Sequence, residues 1–306
     1  MGRISKKAVR LGVDKRLART VSKMLIEDSV QIQKNTSEGS LRGKNALVIG
    51  GAGRMGEWTC RFLSNRGAEV KIWDPRGRLQ GYTNVRAPGA HVRSADIVVV
   101  SSPLGVSSDE LRMALESQPE GLVFDLCSVK THIASQLRRA AASGIKVASV
   151  HPMFGPRVPS PKGLNVLVCD CGSREAAREV GKMFADSGAR VSTVYLEEHD
   201  RLMAYVLGLS HMTALLFGGV LRSSGKRLEE LDNVRGTSFA KLAALSLEVS
   251  GESRRVYHDI QALNPHTREM VEATERMLSE LKQAALDPDP TKFGDIMREE
   301  KQYLEV

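Results

Sequence analysis

Short runs of Val, Ile and Leu alternate with helical patterns between about residue 45 and residue 197. Apolar runs without polar interruptions are typical of strands that are buried on both faces of a parallel sheet. Their alternation with helices predicts an α/β domain whose sheet is covered on both sides. The predicted strands span residues 46–50, 68–74, 95–101, 121–125, 145–150, 165–169 and 190–194, and the clearest helices between them span residues 51–66, 108–117 and 174–187.

The strand pattern ends after Glu197, and long helical stretches follow to residue 285. Leu286-Asp-Pro-Asp-Pro290 interrupts them, because proline cannot continue a helix, and a last helix closes the chain. Helices with apolar faces and no sheet to pack on must bury those faces elsewhere. The sequence therefore predicts an all-α domain that joins two copies into a homodimer.

A further helical pattern precedes the sheet. Asp14 is placed as its N-cap, and the apolar spacing continues to about Lys34. The polar residues 35–43 then indicate a linker. We thus expect a helix and linker over residues 1–40 ahead of the α/β domain.

The positive charge is concentrated at the start of the chain. Residues 1–23 contain eight basic residues and one acid, and so carry seven of the eight net positive charges. The rest lacks the broad basic field of a nucleic-acid-binding protein, so we expect no nucleic-acid partner. A contact of the basic segment with RNA or an acidic protein is the alternative to a solvated helix face.

The sequence contains no continuous run of eighteen apolar residues, and no apolar stretch follows the basic start. We therefore expect neither a membrane association nor a secretory signal. Four cysteines, at positions 60, 127, 169 and 171, form no disulfide framework, which favours thiols in a cytoplasmic protein. Cys169-Asp-Cys171 lacks the partner pair that zinc requires, so we expect core cysteines and no metal site.

A glycine-rich loop follows the first predicted strand. Gly51-Ala-Gly53-Arg-Met-Gly56 has the spacing G-x-G-x-x-G, which lets a backbone approach a pyrophosphate at a helix N-terminus. Asp74 closes the next strand, about where a carboxylate bonds the adenosine ribose. A glycine-rich turn without a ligand is the alternative. The residues assigned to cofactor binding are Gly51, Gly53, Arg54, Met55, Gly56, Asp74 and Ser102.

Asp74 also favours NAD over NADP, because a carboxylate repels the 2′-phosphate of NADP. Arg76 and Arg78 follow it and could neutralise such a phosphate, so NADP stays the second choice. Together these features predict a Rossmann-type doubly wound parallel sheet over residues 41–197, followed by an all-α helical dimerisation domain over residues 198–306.

His151 directly follows the strand predicted over residues 145–150. Ligands of open α/β sheets bind outside the carboxyl ends of the strands, so this histidine should point toward the nicotinamide region. There it can accept a hydroxyl proton as a hydride leaves the adjacent carbon. The alternative is a turn histidine that only caps the strand.

Several segments, taken in order, resemble the prephenate dehydrogenase family over roughly residues 45–306. The segments that carry the resemblance are Gly50-Gly-Ala-Gly-Arg-Met-Gly56, Asp125-Leu-Cys-Ser128-Val-Lys130, His151-Pro-Met-Phe-Gly-Pro156, Glu198-His-Asp-Arg-Leu-Met-Ala204 and the single residue His211. The resemblance implies an NAD-dependent oxidative decarboxylation of prephenate to 4-hydroxyphenylpyruvate in tyrosine biosynthesis. It further implies that His151 takes the hydroxyl proton, that Ser128 orients this histidine or the hydroxyl, and that His211 lines the substrate pocket. It also implies a homodimer.

The chain departs from the family pattern at the substrate carboxylate. The family's helical domain usually supplies an arginine, whereas the nearest alignment here, Thr237-Ser-Phe-Ala-Lys241, offers Lys241 after a one-residue shift. Lysine is a point charge and makes no bidentate pair, and Arg235 is a possible substitute. The departure leaves open the choice between prephenate and its amino analogue arogenate.

Two other function classes compete with this interpretation. A Rossmann dehydrogenase acting on a β-hydroxyacid or an imine would use a lysine in its helical domain, and Lys241 could be that lysine. Such an enzyme has no evident use for the segment beginning at His151. A non-enzymatic NAD-binding protein would have its catalytic positions disabled, whereas Ser128 and His151 are both present.

The N-terminal helix has a resemblance of its own, to the closing helix of an all-helical chorismate mutase domain. The likeness is confined to about residues 7–34, and its clearest part is Leu25-Ile-Glu-Asp-Ser-Val-Gln-Ile-Gln33. One amphipathic helix cannot enclose a dianion among fixed cations, and exposed charges bind small anions weakly. We therefore interpret it as a remnant and expect no chorismate mutase activity from the 306-residue protein.

Overall fold

The computed structural model describes residues 39–305, which form two units. Unit 1 contains the described residues up to Cys127 together with Ile133–Tyr195. Unit 2 contains Ser128–His132 and the residues from Leu196 onward. The N-terminal helix, its likeness to a mutase helix and residues 35–38 of the predicted linker lie outside the described residues.

Unit 1 is built on one eight-stranded sheet with the order β3-β2-β1-β4-β5-β6-β7-β8. Its strands are β1 (Asn45–Ile49), β2 (Glu69–Trp73), β3 (Thr83–Asn84), β4 (Ile97–Val100), β5 (Leu122–Asp125), β6 (Val147–Pro152), β7 (Asn165–Asp170) and β8 (Arg190–Tyr195). The first six follow the doubly wound order of dinucleotide-binding folds. The predicted fold class is therefore confirmed, with one correction: β7 runs antiparallel to β6, and all other neighbours are parallel.

Five helices accompany this sheet, two of which the sequence pattern did not indicate. They are α1 (Arg54–Ser64), α2 (Gly89–Ser94), α3 (Leu104–Glu116), α4 (Thr131–Ala142) and α5 (Arg174–Ala185). The pattern missed α2, which is only six residues long, and α4, whose buried positions are the widely spaced Ile133, Leu137 and Ala140. These three residues recur at helical spacing on one face, while polar residues occupy most other positions of α4.

The core of unit 1 combines the central strands with an aromatic stack. All four residues of β4 are buried, as a strand between two parallel neighbours and two helical layers must be. The Phe62 ring stacks on Trp58 at 5.2 Å and on Phe184 at 4.9 Å between ring centroids. The Trp58 indole nitrogen donates to the carbonyl oxygen of Val158 at 2.9 Å, so its one polar group is satisfied. All four cysteines are buried.

The separate segment Ser128–His132 of unit 2 includes the first two residues of α4, and the part that begins at Leu196 is built of helices. Its elements are α6 (Leu196–Met203), a π-helical stretch (Ala204–Leu209), α7 (Ser210–Ser223), α8 (Leu228–Asp232), α9 (Thr237–Ser250), α10 (Arg254–Ala262), α11 (Thr267–Leu286) and α12 (Thr291–Leu304). Helices α7 and α9 pack closely, since a Cβ at Gly218 would lie only 2.5 Å from the Ser246 hydroxyl. Glycine at this position lets the two helices approach.

The stretch Leu196–Ser223 is a continuous 28-residue helical rod with a mean hydropathy of 1.6 over its most apolar window. Its length and composition suffice to cross a membrane, although the sequence contains no unbroken apolar run there. Only 17% of that window is buried within the chain. The large apolar side chains that it exposes are Leu202, Tyr205, Val206, Leu215, Leu216 and Val220. Such a surface is typical of one that contacts another molecule.

Candidate active site

The glycine loop between β1 and α1 leaves no room for a side chain at Gly51 or Gly56. A Cβ at Gly51 would lie 2.7 Å from Cβ of Ile72, and one at Gly56 would overlap the carbonyl oxygen of Gly50. Gly53 is the N-cap of α1, and no side chain caps that helix. The N–H groups in the first turn of a helix have no carbonyl partner within that helix, and they are the groups that bind a pyrophosphate in dinucleotide-binding folds.

The two residues that follow Gly53 differ in their surroundings. Arg54 is exposed at the first position of α1. Met55 is half-buried and packs against the hydrophobic core of unit 1. Met55 therefore has a packing role in the structure, while Arg54 is exposed to solvent.

Asp74 follows β2 and is held by two backbone amides. Its Oδ2 accepts from the N–H of Ala52 at 3.2 Å, and its Oδ1 accepts from the N–H of Arg76 at 2.9 Å. The carboxylate therefore lies directly beside the glycine loop. A cleft of about 410 Å³ opens next to it, lined by Trp73, Asp74, Pro75, Gly77, Arg78, Asn84, Val85 and Arg86.

Ser102 follows β4 on the opposite side of the loop. Its hydroxyl donates to the carboxylate of Glu110, and it also lies 2.8 Å from the position that a Cβ on Gly50 would take. Burial raises the pKa of the Glu110 carboxyl; the hydrogen bond from Ser102 lowers it in part, and the charge of Asp74 raises it again. The net effect is a Glu110 pKa above its usual range.

His151 lies inside β6, opposite Leu167 of β7, and is 3% exposed. The expectation that the strand ends at residue 150 was wrong, because pairing with β7 extends the strand to Pro152. Strand β6 runs parallel to β5, which is parallel through β4 to β1. His151 and the glycine loop therefore lie at the carboxyl ends of strands in the same sheet, at one edge.

The segment Ser128–His132 of unit 2 is anchored by Asp200. Its carboxylate accepts from the N–H of Lys130 at 2.8 Å, from the N–H of Thr131 at 2.7 Å and from the Thr131 hydroxyl at 2.6 Å. His199 Nδ1 lies 2.7 Å from the same carboxylate. Burial on its own would raise the pKa of Asp200, but the hydrogen bonds from His199, Thr131 and Lys130 outweigh burial and lower that pKa to about 2.

His211 lies on α7, half-buried, with its ring 4.2 Å from the ring of Tyr257. Burial lowers the pKa of His211 below its usual value, so the imidazole is neutral at pH 7. Lys241 is exposed in the first turns of α9. Arg235 is also exposed and donates to the carboxylate of Asp232. Its charge is thus already opposed by a neighbouring acid.

The predicted site residues divide between the two units. Unit 1 holds Gly51, Gly53, Arg54, Met55, Gly56, Asp74, Ser102 and His151, and unit 2 holds Ser128, His211, Lys241 and Arg235. Within residues 39–305, no group of three His, Cys, Asp or Glu side chains is placed to hold a metal ion.

The sequence alone assigns no role to the buried acids Asp200 and Glu110. The contact of Asp200 with Lys130, 70 residues away along the chain, leaves no local signal in the sequence. Glu110 did leave one, since it occupies the buried stripe of α3 beside Ser107, Leu111 and Ala114. An acid on such a stripe requires a partner.

Comparison with known proteins agrees with this division. The family model described as "Prephenate dehydrogenase, nucleotide-binding domain" matches residues 76–192, and the one described as "Prephenate dehydrogenase, dimerization domain" matches residues 196–299. The glycine loop and Asp74 precede the first match.

Two curated relatives align with most of the chain. A probable arogenate/prephenate dehydrogenase of Methanocaldococcus jannaschii is 25% identical over 268 residues, which is 84% of this chain. The chain spans only 60% of that relative's length. A 4-amino-4-deoxyprephenate dehydrogenase of Streptomyces pristinaespiralis is 30% identical over 272 residues, covering 85% of this chain and 91% of the relative.

A solved structure shares the fold. The crystal structure of prephenate dehydrogenase from A. aeolicus, in complex with hydroxyphenyl propionate and NAD+, aligns with a TM-score of 0.69 at 20% identity. The alignment covers 86% of this chain and 98% of that one.

Asp200→Asn should lower the free energy of unfolding by about 2 kcal/mol at pH 7, since its pKa lies well below the ordinary value. A carboxyl group whose pKa is lower in the folded protein than in the unfolded chain stabilises the fold at pH values above the unfolded-state pKa. This stabilisation is lost as the pH falls through the folded-state pKa. The difference from wild type should therefore disappear between about pH 4 and pH 2. Urea denaturation at several pH values measures it.

The matched control is Asp295→Asn, which removes an exposed carboxylate paired with Arg298 at 2.9 Å. Exposed pairs contribute little, so this variant should unfold like wild type. Equal losses in both variants would contradict the role of Asp200.

Proposed function

Because the chain belongs to the prephenate dehydrogenase family, we propose that it catalyses the NAD-dependent oxidative decarboxylation of prephenate to 4-hydroxyphenylpyruvate, a step of tyrosine biosynthesis. The observation that carries the proposal is His151. It is buried at the carboxyl edge of the same sheet that bears the glycine loop. An imidazole at that edge is placed where a substrate would meet a nicotinamide.

The cofactor half of the proposal rests on the glycine loop. The space that a Cβ at Gly51 or Gly56 would fill is needed for the close packing of loop, strand and helix. The uncapped first turn of α1 offers N–H groups to the pyrophosphate, and Asp74 offers a carboxylate to the ribose hydroxyls. NAD bound there would accept a hydride. The A. aeolicus protein, which shares this fold, was crystallised with NAD+.

His151 would hold the hydroxyl on ring carbon C4 of the substrate and take its proton. As the proton leaves, the C–H bond at C4 gives up its electron pair as hydride, and the oxygen becomes a carbonyl. The bond to the ring carboxylate then breaks and carbon dioxide leaves. The electron pair of that bond makes the ring aromatic and turns the C4 carbonyl into a phenolate oxygen, which takes a proton back from the His151 imidazolium to give the product hydroxyl. Ser128 would orient the histidine or the hydroxyl, and His211 would line the pocket as a neutral hydrogen-bonding group.

The substrate is open in two respects. The group at C4 is a hydroxyl in prephenate and in arogenate but an amine in 4-amino-4-deoxyprephenate, and the side chain of arogenate carries an amino group in place of the keto group. The relatives bear names from all three activities. A histidine base suits a C4 hydroxyl, which favours prephenate or arogenate over the 4-amino compound, and of these two we propose prephenate. NADH formation with each compound in turn tests this choice; the absence of turnover with all three would refute the proposed function.

We further propose a cytoplasmic homodimer joined through unit 2. The exposed apolar side chains of the rod Leu196–Ser223 need a cover, and residues 196–299 match a dimerization domain. A second copy of the same surface supplies that cover without a membrane or a nucleic acid.

His151→Asn should reduce kcat by roughly 10² to 10⁴-fold while leaving the affinity for NADH unchanged, because only the proton acceptor is lost. Steady-state kinetics and NADH fluorescence titration measure the two quantities. His258→Asn is the control, since that histidine is exposed on α10. Wild-type turnover by the His151 variant would disprove its assignment as the base.

Lys241→Ala should raise the KM for prephenate with a smaller effect on kcat. A cation that binds the substrate carboxylate equally in the ground state and in the transition state affects KM, not kcat. Arg235→Ala should have the weaker effect, since Asp232 already opposes its charge. Lys301→Ala, on the exposed face of α12, controls for general loss of positive charge. Unchanged kinetics in both single variants and in the double variant would exclude this pair as the carboxylate-binding cations.

Light scattering at micromolar concentration should give the mass of a dimer without detergent. Val220→Asp should shift the protein toward monomer, because this side chain is 59% exposed on the apolar rod and a buried unpaired charge opposes association. Glu229→Lys, on α8, is an exposed control outside the rod. A monomeric wild-type protein, or one soluble only in detergent, would contradict the proposal.

A further inference from the structure

A second carboxylate lies close to the cofactor loop. Glu110 is 9% exposed and shares the inward stripe of α3 with Leu104, Leu111 and Ala114. A carboxylate in such a place is costly unless it is hydrogen-bonded, and the Ser102 hydroxyl supplies that bond. The arrangement places a carboxylate among buried side chains of α3 that are otherwise apolar except for Ser107.

Two contacts connect this charge to the loop. The Ser102 hydroxyl that bonds Glu110 packs against Gly50, and the Asp74 carboxylate bonds the N–H of Ala52. Asp74 therefore contacts the loop directly at Ala52, whereas Glu110 is connected to it at Gly50 through the Ser102 hydroxyl. The charge of Asp74 is also close enough to act on the Glu110 carboxyl.

The adenosine end of the site is otherwise positively charged. Arg78 and Arg86 line the cleft beside Asp74, and Arg76 follows Asp74 in the chain. Three guanidinium groups would attract a 2′-phosphate, and Asp74 alone would oppose them with one negative charge. A preference for NAD in such surroundings calls for more negative charge than Asp74 provides.

We propose that Glu110 is a specificity-determining residue of the cofactor site, whose charge adds to that of Asp74 in rejecting the 2′-phosphate of NADP. The inference rests on the proposed function, since it presupposes a nicotinamide dinucleotide on the glycine loop. NAD carries a neutral hydroxyl where NADP carries a phosphate. The Glu110 charge thus acts mainly on NADP.

Glu110→Gln tests this, because glutamine keeps the shape and an oxygen that can accept from Ser102. Dissociation constants for NADH and NADPH, from cofactor fluorescence, should show NADPH binding about three- to tenfold more tightly than to wild type. NADH affinity should change less than about twofold. Asp74→Ser should shift the same ratio further, because that carboxylate lies in the cleft itself.

Glu116→Gln is the matched control, since it removes one exposed acid from the same helix. Its NADPH-to-NADH ratio should equal that of wild type. If Glu110→Gln fails to fold, Glu110→Leu removes both the charge and the need for a hydrogen bond, and it should shift the ratio equally.

An unchanged ratio in a folded Glu110 variant overturns the inference and leaves the proposed function intact. A ratio that Glu116→Gln shifts equally also overturns it, because the effect would then be one of overall charge. Failure of wild type to bind either cofactor refutes the proposed function instead.

Discussion

The direction of the parallel strands is the constraint on which the candidate site depends. Strands β1, β2, β4, β5 and β6 all run the same way, so their carboxyl ends meet at one edge of the sheet. Each chemically important residue of unit 1 follows or ends one of these strands: the glycine loop β1, Asp74 β2, Ser102 β4 and His151 β6. Strand direction thereby gathers residues spread over about a hundred positions at one end of the sheet, where the Asp74 carboxylate also accepts from the Ala52 N–H of the glycine loop.

A second constraint acts in unit 2, where Asp200 holds the segment that carries Ser128. Burying a carboxylate is costly, and four groups on His199, Lys130 and Thr131 offset that cost by hydrogen bonding. Two of the donors are backbone N–H groups, so the carboxylate restrains the main chain itself. Asp200 fixes the backbone at Lys130, two residues after Ser128, and thereby restrains the position of Ser128.

The sequence predicts those parts of the molecule that leave a local pattern. Unbroken apolar runs predict the central strands, and the spacing from Gly51 to Gly56 predicts the loop, because both depend on neighbouring residues. The antiparallel pairing that extends β6 through His151 depends on β7, whose register no local pattern contains. The hydrogen bonds of Asp200 and the partial burial of His211 likewise depend on residues far away in the sequence, so only the structure reveals them.

Burial also determines which groups can meet an anionic substrate. Because burial lowers the pKa of His211, this histidine is neutral at pH 7 and can donate a hydrogen bond but supplies no positive charge. Arg235 is opposed by Asp232. Lysine at position 241 is therefore the strongest of the predicted cations of unit 2 for a carboxylate. Lys241 lies on α9, and α9 packs against α7, which is the second half of the apolar rod. One pair of helices therefore carries both the surface proposed to join two copies and the cation proposed to bind substrate.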